Sequence, residues 1–215
     1  MEINSLNVLG ISEPTITMLL DNLESNNVFP ELYILNNLKK VDLLPYENPL
    51  FKIYIKSNID EINSHNQFFL GVNKPTNKIA VFNEMSIAIE RYTSVAHKSV
   101  AISSTTKIGK GVHINSLVSI AAFSIIDDFV SINRNCSIGH HSSIGKFTTV
   151  NPGANIAGFV KIGHGCLIGM GVNIIDGIEI GSNTIIGAGS VVTKNIPDNV
   201  VAYGNPCKII RSNET

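Results

Sequence analysis

Residues 137–156 read SIGHHSSIGKFTTVNPGANI, with Ile138, Ile144, Val150 and Ile156 six apart. The spacing continues in both directions: sixteen positions from Ile102 to Val192, every sixth residue, are all Ile or Val. Two residues before each stands a small or β-branched side chain, as at Val100, Thr106, Val112, Val118, Ser124, Val130, Cys136 and Ser142. One residue after stands Gly, Asn, Asp, Ala or Ser in most repeats, among them Gly109, Asn115, Gly139, Gly145, Gly163, Gly169, Gly181 and Gly187. A period of six places the apolar residues on no single face of a 3.6-residue helix and matches the hexad of a parallel β-helix. Each hexad supplies a short strand with one bulky and one small inward residue. The Gly, Asn or Asp that follows is expected to give the corner its unusual dihedrals. Three hexads close one coil, so residues 18 apart stack, and the repeats amount to a little over five coils. Each stacked Ile is worth roughly 1.5–3 kcal/mol before the entropy of ordering is counted.

The rest of the chain reads differently. Asn7–Gly10, Leu32–Leu35, Lys52–Ile55 and Phe68–Val72 are apolar runs of strand length. Thr15–Leu23 and a stretch opened by Pro75 and running to about Arg91 carry helical patterns. Strands alternating with helices predict a small, Rossmann-like α/β unit over 1–95, then a β-helix over 96–194 and a tail over 195–215. Tyr92–Lys98 is expected to join the halves, and the basic stretch Lys208–Arg211 to end the solenoid as a solvated tail. Parallel α/β sheets bind ligands outside the carboxyl ends of their strands. That rule selects Gly10, Asn36, Asn37, Gly71 and Asn73, with Ser12 in the turn after Gly10, as substrate-binding candidates.

Composition narrows the function classes. The 215 residues are 44% hydrophobic and 15% charged with a net charge of −1, which argues against disorder and gives no basic field for nucleic acid or anionic membrane. No apolar run approaches the ~18 residues of a membrane span. The opening Met1-Glu2-Ile3-Asn4 lacks a secretory pattern, and three cysteines without a C-x-x-C pair fit a reducing compartment. A cytoplasmic protein that neither enters membranes nor binds nucleic acid is the expectation.

Among six histidines, His140 stands out because it lies two past a column Ile, at a corner. Ala122, one coil earlier, and Gly158 and Asp176, one and two coils later, share that corner, so small neighbours leave room for a thin ligand. A plain solvated corner residue is the competing reading. His113 and His164 are read as surface corner residues, and His65 and His97 carry no visible constellation. Positions 113, 140 and 164 do not differ by multiples of 18, so they share no corner and no metal site is expected. Cys136 and Cys166 occupy small inward positions and are read as core fillers.

The whole solenoid resembles the hexapeptide-repeat acyltransferases, and the layout with a small N-terminal domain is similar to the sugar O/N-acetyltransferases of the sialic-acid and bacillosamine type. The likeness rests on Ile138-Gly139-His140, Ile144-Gly145-Lys146-Phe147, the run Asn151–Gly158, the run Gly187–Lys194 and Val201–Pro206. The resemblance implies a left-handed β-helix, a homotrimer, and transfer of acetyl from acetyl-CoA, a co-substrate held between subunits, to a sugar or nucleotide-linked sugar. It puts His140 in the place of the general base. It puts Thr149, Gly158, Met170 and Ala188 where the family meets the cofactor, with Gly158 giving the pantetheine room to approach. Two departures stand out. The family usually has an acidic residue after the base, where this chain has His141, which is taken with His140 as a catalytic candidate. A neutral imidazole there can orient its neighbour by a hydrogen bond, whereas a cationic one would lower its basicity. The family's glycine-rich phosphate-binding turn is replaced here by Ile11-Ser12-Glu13-Pro14, in which Glu13 would repel a phosphate and Pro14 lacks an N–H donor. The alternative that these departures leave open is a noncatalytic β-helix scaffold that keeps only trimerisation.

Overall fold

The computed structural model describes residues 4–36, 49–58, 60, 62 and 65–214. Its N-terminal part holds β1 (Ser5–Leu9), α1 (Glu13–Ser25), β2 (Glu31–Leu35), β3 (Ile53–Lys56), β4 (Gln67–Leu70) and α2 (Pro75–Met85). The four strands form one sheet in the order β3-β2-β1-β4, every pair parallel. The central strand explains this arrangement: Leu6, Val8 and Leu9 are all fully buried, as a parallel strand covered on both faces requires. α1 lays Ile16, Leu19, Leu20 and Leu23, one stripe of a 3.6-residue turn, against Leu6, Val8, Leu32 and Ile34. On the other face Leu9, Leu35, Phe68 and Leu70 pack with Val81 of α2 and with Tyr92 and Phe129.

One expectation for this half needs correction. The helix opened by Pro75 stops at Met85, because Ser86 takes a left-handed φ of 50° and gives its N–H to the Phe82 carbonyl. Ile89–Arg91 follows as a separate 3-10 turn. Tyr92–Lys98 joins the halves as a packed segment. Tyr92 is 2% exposed, its ring meets Phe82 and Phe129, and Val95–Ala96 is already the first rung of the solenoid.

From Val95–Ala96 to Val191–Val192 the chain winds through two-residue strands that stack into three parallel sheets. The register is 18 throughout, as in Ile132 opposite Val150 and Ile138 opposite Ile156. His113–Ile114, Ser131–Ile132 and Thr149–Val150 belong to a first face, Ser119–Ile120 and Ser137–Ile138 to a second, Ile125–Ile126 and Ser143–Ile144 to a third. Column residues from Ile114 to Val192 are at most 3% exposed, whereas Ile102 and Ile108, at the open lower end, are 39% and 37% exposed. Cys136 and Cys166 lie inside the coil, their thiols pushed up to about 11 by burial, and donate to the carbonyls of Asn151 and Gly181.

The corner chemistry differs from the expectation. The left-handed residue falls three after the column position, not one after, and recurs every six residues from Gly111 to Gly189 through Leu117, Phe123, His141 and Phe159. Glycines such as Gly139 and Gly169 serve closeness instead: a Cβ there would run into the backbone of the next coil at Ala157 or Ala188. The stretch expected as a solvated tail is exposed along Lys208–Ser212 and is also paired into the sheet. Val200–Tyr203 adds a parallel rung beside Ile185–Ile186, and Lys208–Ser212 pairs antiparallel with it.

The N-terminal half sits on the first face of the solenoid. The Asn22 amide of α1 donates to the Ile114 carbonyl at 3.1 Å, and Lys78 Nζ of α2 donates to the carbonyls of Phe129 and Thr148 at 2.8 and 3.1 Å. Phe82, Tyr92, Phe129 and Phe147 form an aromatic cluster beside it.

Candidate active site

His140 stands on the corner between the second and third faces, away from the face that the N-terminal half covers. Its seat is built from the coil above. The space a Cβ on Gly158 would need is taken by the imidazole, whose Cε1, Nε2 and Nδ1 lie 2.8, 3.0 and 3.2 Å from that point. Asp176, a further coil on, accepts the Gly158 N–H at 2.8 Å and pins the seat. Gly158 therefore holds the imidazole, and the gap expected there for pantetheine is filled. The His140 ring also stands edge-on to Phe159, at 5.1 Å between centroids.

His141 follows at φ 57°. Its ring stacks on Phe159 at 4.9 Å and 17° and lies 5.0 Å from Phe123 at 34°. Phe123 and Phe159 share its position in the preceding and following coils and are 57% and 55% exposed. Nδ1 of His141 is 3.1 Å from Nδ1 of His140. The His140 side chain thus hydrogen-bonds through Nδ1.

The substrate candidates gather elsewhere, at the carboxyl ends of β1, β2 and β4. Gly10 (φ 79°) and Gly71 touch: a Cβ on Gly71 would overlap the Gly10 carbonyl oxygen, so these glycines let β1 and β4 end together. Ser12 caps α1 through its backbone, its carbonyl accepting from Ile16 at 3.0 Å. Asn36 gives its N–H to the Lys56 carbonyl, and its side-chain oxygen is buried without a partner among the described residues. Asn37 lies outside the described residues. Asn73 accepts the Thr149 hydroxyl at 2.6 Å. That bond corrects the reading of Thr149, which is 0% exposed in the seam between the halves and has no surface to offer a cofactor.

A groove of about 400 Å³ runs beside these ends, lined by Glu13, Asn73, Asn133, Arg134, Asn151 and Pro152 among others. Arg134 and Pro152 continue upward in register as Met170, which is 59% exposed, and the exposed Ala188, along the corner between the first and second faces. Sequence reasoning passed over Arg134, although counting 18 back twice from Met170 reaches it. His140 and this groove occupy different corners of the same chain.

His113 is not a surface corner residue. It opens a strand on the covered face, is 3% exposed, and meets the Phe69 ring edge-on at 5.0 Å. Burial, then the nearby Lys78 charge, lowers it to about 3, and its Nε2 has no partner among the described residues. Lys78, held in the same seam, is pushed well below the usual lysine range by burial. Among the described residues, no three His, Cys, Asp or Glu side chains gather as a metal site, and no helix is long and apolar enough to cross a membrane.

Comparison with known proteins fits this architecture. The family model described as bacterial transferase hexapeptide (six repeats) matches residues 159–194. No relative is found among curated proteins. PerB from Caulobacter crescentus, solved in complex with CoA and GDP-perosamine, is 22% identical with a TM-score of 0.80, the match covering 97% of this chain and 98% of that one. The acetyltransferase domain of PglB from Neisseria gonorrhoeae in complex with acetyl coenzyme A is 18% identical with a TM-score of 0.83, covering 96% and 100%. WeeI from Acinetobacter baumannii is 19% identical with a TM-score of 0.77, covering 96% and 99%. Residues 159–194 thus match the hexapeptide repeats of bacterial transferases, on a fold that the chain shares, nearly end to end, with these proteins.

Proposed function

We propose that this protein is an acetyl-CoA-dependent acetyltransferase that acetylates an amino or hydroxyl group of a sugar or nucleotide-linked sugar in the cytoplasm. Its solenoid is left-handed, its N-terminal half is a Rossmann-like acceptor-binding domain, and it works as a homotrimer. The observation that carries this reading is His140, seated over Gly158 at a corner with its Nδ1 hydrogen-bonded to His141.

The chemistry follows from that placement. The acceptor nitrogen or oxygen attacks the thioester carbonyl while Nε2 takes its proton, help typically worth 10²–10⁴-fold. The tetrahedral intermediate then collapses, the C–S bond breaks, and the imidazolium returns the proton to the CoA sulfur. Imidazole suits both steps because it ordinarily titrates near neutral pH. Holding both substrates in one complex supplies much of the remaining acceleration.

Because His140 and the groove beside Gly10, Ser12, Asn36, Gly71 and Asn73 lie on different corners, an acceptor in the groove meets His140 of a neighbouring copy. Met170 and Ala188, on the groove's corner, then line the path of the pantetheine. Arg134 lines the same groove as Glu13 and supplies the positive charge that the Ile11–Pro14 turn lacks. PerB is solved in complex with CoA and GDP-perosamine, a coenzyme and a nucleotide-linked sugar of the classes this reading requires.

The test is turnover of acetyl-CoA with a panel of amino sugars and nucleotide-linked amino sugars, followed by release of free thiol. Turnover with at least one acceptor, reduced at least 100-fold in His140→Ala, is expected. A wild-type protein inert toward every acceptor would leave the scaffold reading, and equal rates in the two proteins would remove His140 as the base.

A further inference from the structure

We propose that His141 is a positioning residue that fixes the proton of its neighbour: it accepts a hydrogen bond from His140 Nδ1–H and thereby keeps the lone pair of His140 on Nε2. The inference rests on the proposed acetyl transfer and adds to it the device that replaces a carboxylate beside the base.

Two Nδ1 atoms 3.1 Å apart must share one proton, since two lone pairs would repel and two N–H groups would clash. Either ring can donate in this bond; when His140 does, its Nδ1 carries the proton and its lone pair is on Nε2, the tautomer that the proposed proton abstraction requires. The acceptor ring is itself held. Phe159 stacks on one side at 4.9 Å and Phe123 lies on the other at 5.0 Å, which fixes the plane of the His141 ring, while the bond to His140 fixes which edge Nδ1 takes. The donor ring is fixed by the Gly158 seat and the edge of Phe159. The stack, in residues three coils deep at one corner, thus holds the His141 ring in place beside the base.

The same geometry explains why a histidine can stand there. Its backbone is left-handed at φ 57°, a conformation that Asn and Asp also tolerate. In both of those side chains Oδ1 occupies the place of the histidine Nδ1, one bond beyond Cγ. Three substitutions therefore separate the acceptor from the stack. His141→Phe keeps an aromatic ring between Phe123 and Phe159 and removes the acceptor. His141→Asn and His141→Asp remove the ring and keep an acceptor at the same place.

The experiment compares steady-state kinetics of these variants with wild type and with His140→Ala, and reads the His140 tautomer by ¹⁵N NMR of imidazole-labelled protein. His141→Phe should lose about 10- to 100-fold in kcat, a part of the general-base contribution, with KM for acetyl-CoA and acceptor nearly unchanged. His141→Asn should stay within a few-fold of wild type, and His141→Asp should match it. The His140 signal should report protonated Nδ1 in wild type, Asn and Asp proteins and protonated Nε2 in the Phe variant. Full activity in His141→Phe, or a His140 tautomer unaltered by that change, overturns the proposal. If His140→Ala is inactive while His141→Phe is not, acetyl transfer stands and the positioning role falls. If wild type turns over no acceptor, the NMR comparison still decides whether His141 sets the tautomer.

Discussion

At the scale of single residues, the corners show how much the fold asks of each side chain. Leu117 holds φ 59° with its side chain 63% exposed, so it bears the cost of a left-handed backbone with little burial in return. That conformation costs an ordinary residue about 1–2 kcal/mol, partly offset by the extra chain entropy glycine loses. Leu117→Gly should raise stability by about 0.5–1 kcal/mol in urea titrations. A lower midpoint would show that the exposed side chain is stabilising after all. Gly158 makes the opposite case. It has no left-handed requirement, yet the imidazole of His140 fills the place of its missing Cβ. Gly158→Ala should displace the ring and lower kcat about 100-fold, the scale expected for a misplacement near 1 Å, with the fold intact by circular dichroism. Wild-type kcat in that variant would mean the ring has another resting place.

Between elements, the seam of α2 and β4 with the first face of the solenoid is the least conventional packing in the molecule. It buries Lys78 on three acceptors, Phe129 O, Ser131 Oγ and Thr148 O, and places His113 against Phe69. The unfolded chain binds a proton on His113 near pH 6.5, but burial and the Lys78 charge keep the folded chain from binding it until about pH 3. The unfolded state therefore holds more protons across that window, and stability must fall as the pH drops from about 6.5 toward 3. His113→Leu removes that proton site while filling a similar volume beside Phe69. Urea midpoints at pH 7 and pH 5 should fall less in the variant than in wild type. Equal losses would place the acid sensitivity elsewhere. Lys78 acts in the same direction at higher pH, since its depressed protonation also favours the fold as pH rises.

For the whole molecule, the decisive geometry is the separation of His140 from the groove lined by Glu13, Asn73 and Arg134. A site assembled from two copies predicts complementation. Met170→Trp, which blocks the groove's corner, and His140→Ala should each be inactive as pure assemblies. Mixed by unfolding and refolding together, they should recover a fraction of wild-type turnover, because some sites then pair an intact groove with an intact imidazole. No recovery from a mixture that light scattering shows to be trimeric would place the whole site within one chain.

The hexad was readable because inward position repeats every six residues whatever lies outside. Ile138, Ile144 and Val150 specify the column by their own period, Cys136 and Ser142 specify the small partners, and the 18-residue stack under His140 follows by counting. Asn7–Gly10, Leu32–Leu35 and Phe68–Val72 were likewise legible as strands, since each buried run is short and ends at a Gly or Asn. What the period leaves equivalent are the three outward faces. His113, Thr149 and Ser131 look from the sequence like any outward residues, yet all three are buried, because contacts as distant as Lys78 with Thr148 bring the N-terminal half onto that one face. The bond between His140 and His141 has the same origin. Two adjacent histidines in a sequence imply no hydrogen bond. Only the left-handed corner and the Phe123 and Phe159 rings from the neighbouring coils turn the two Nδ1 atoms toward each other.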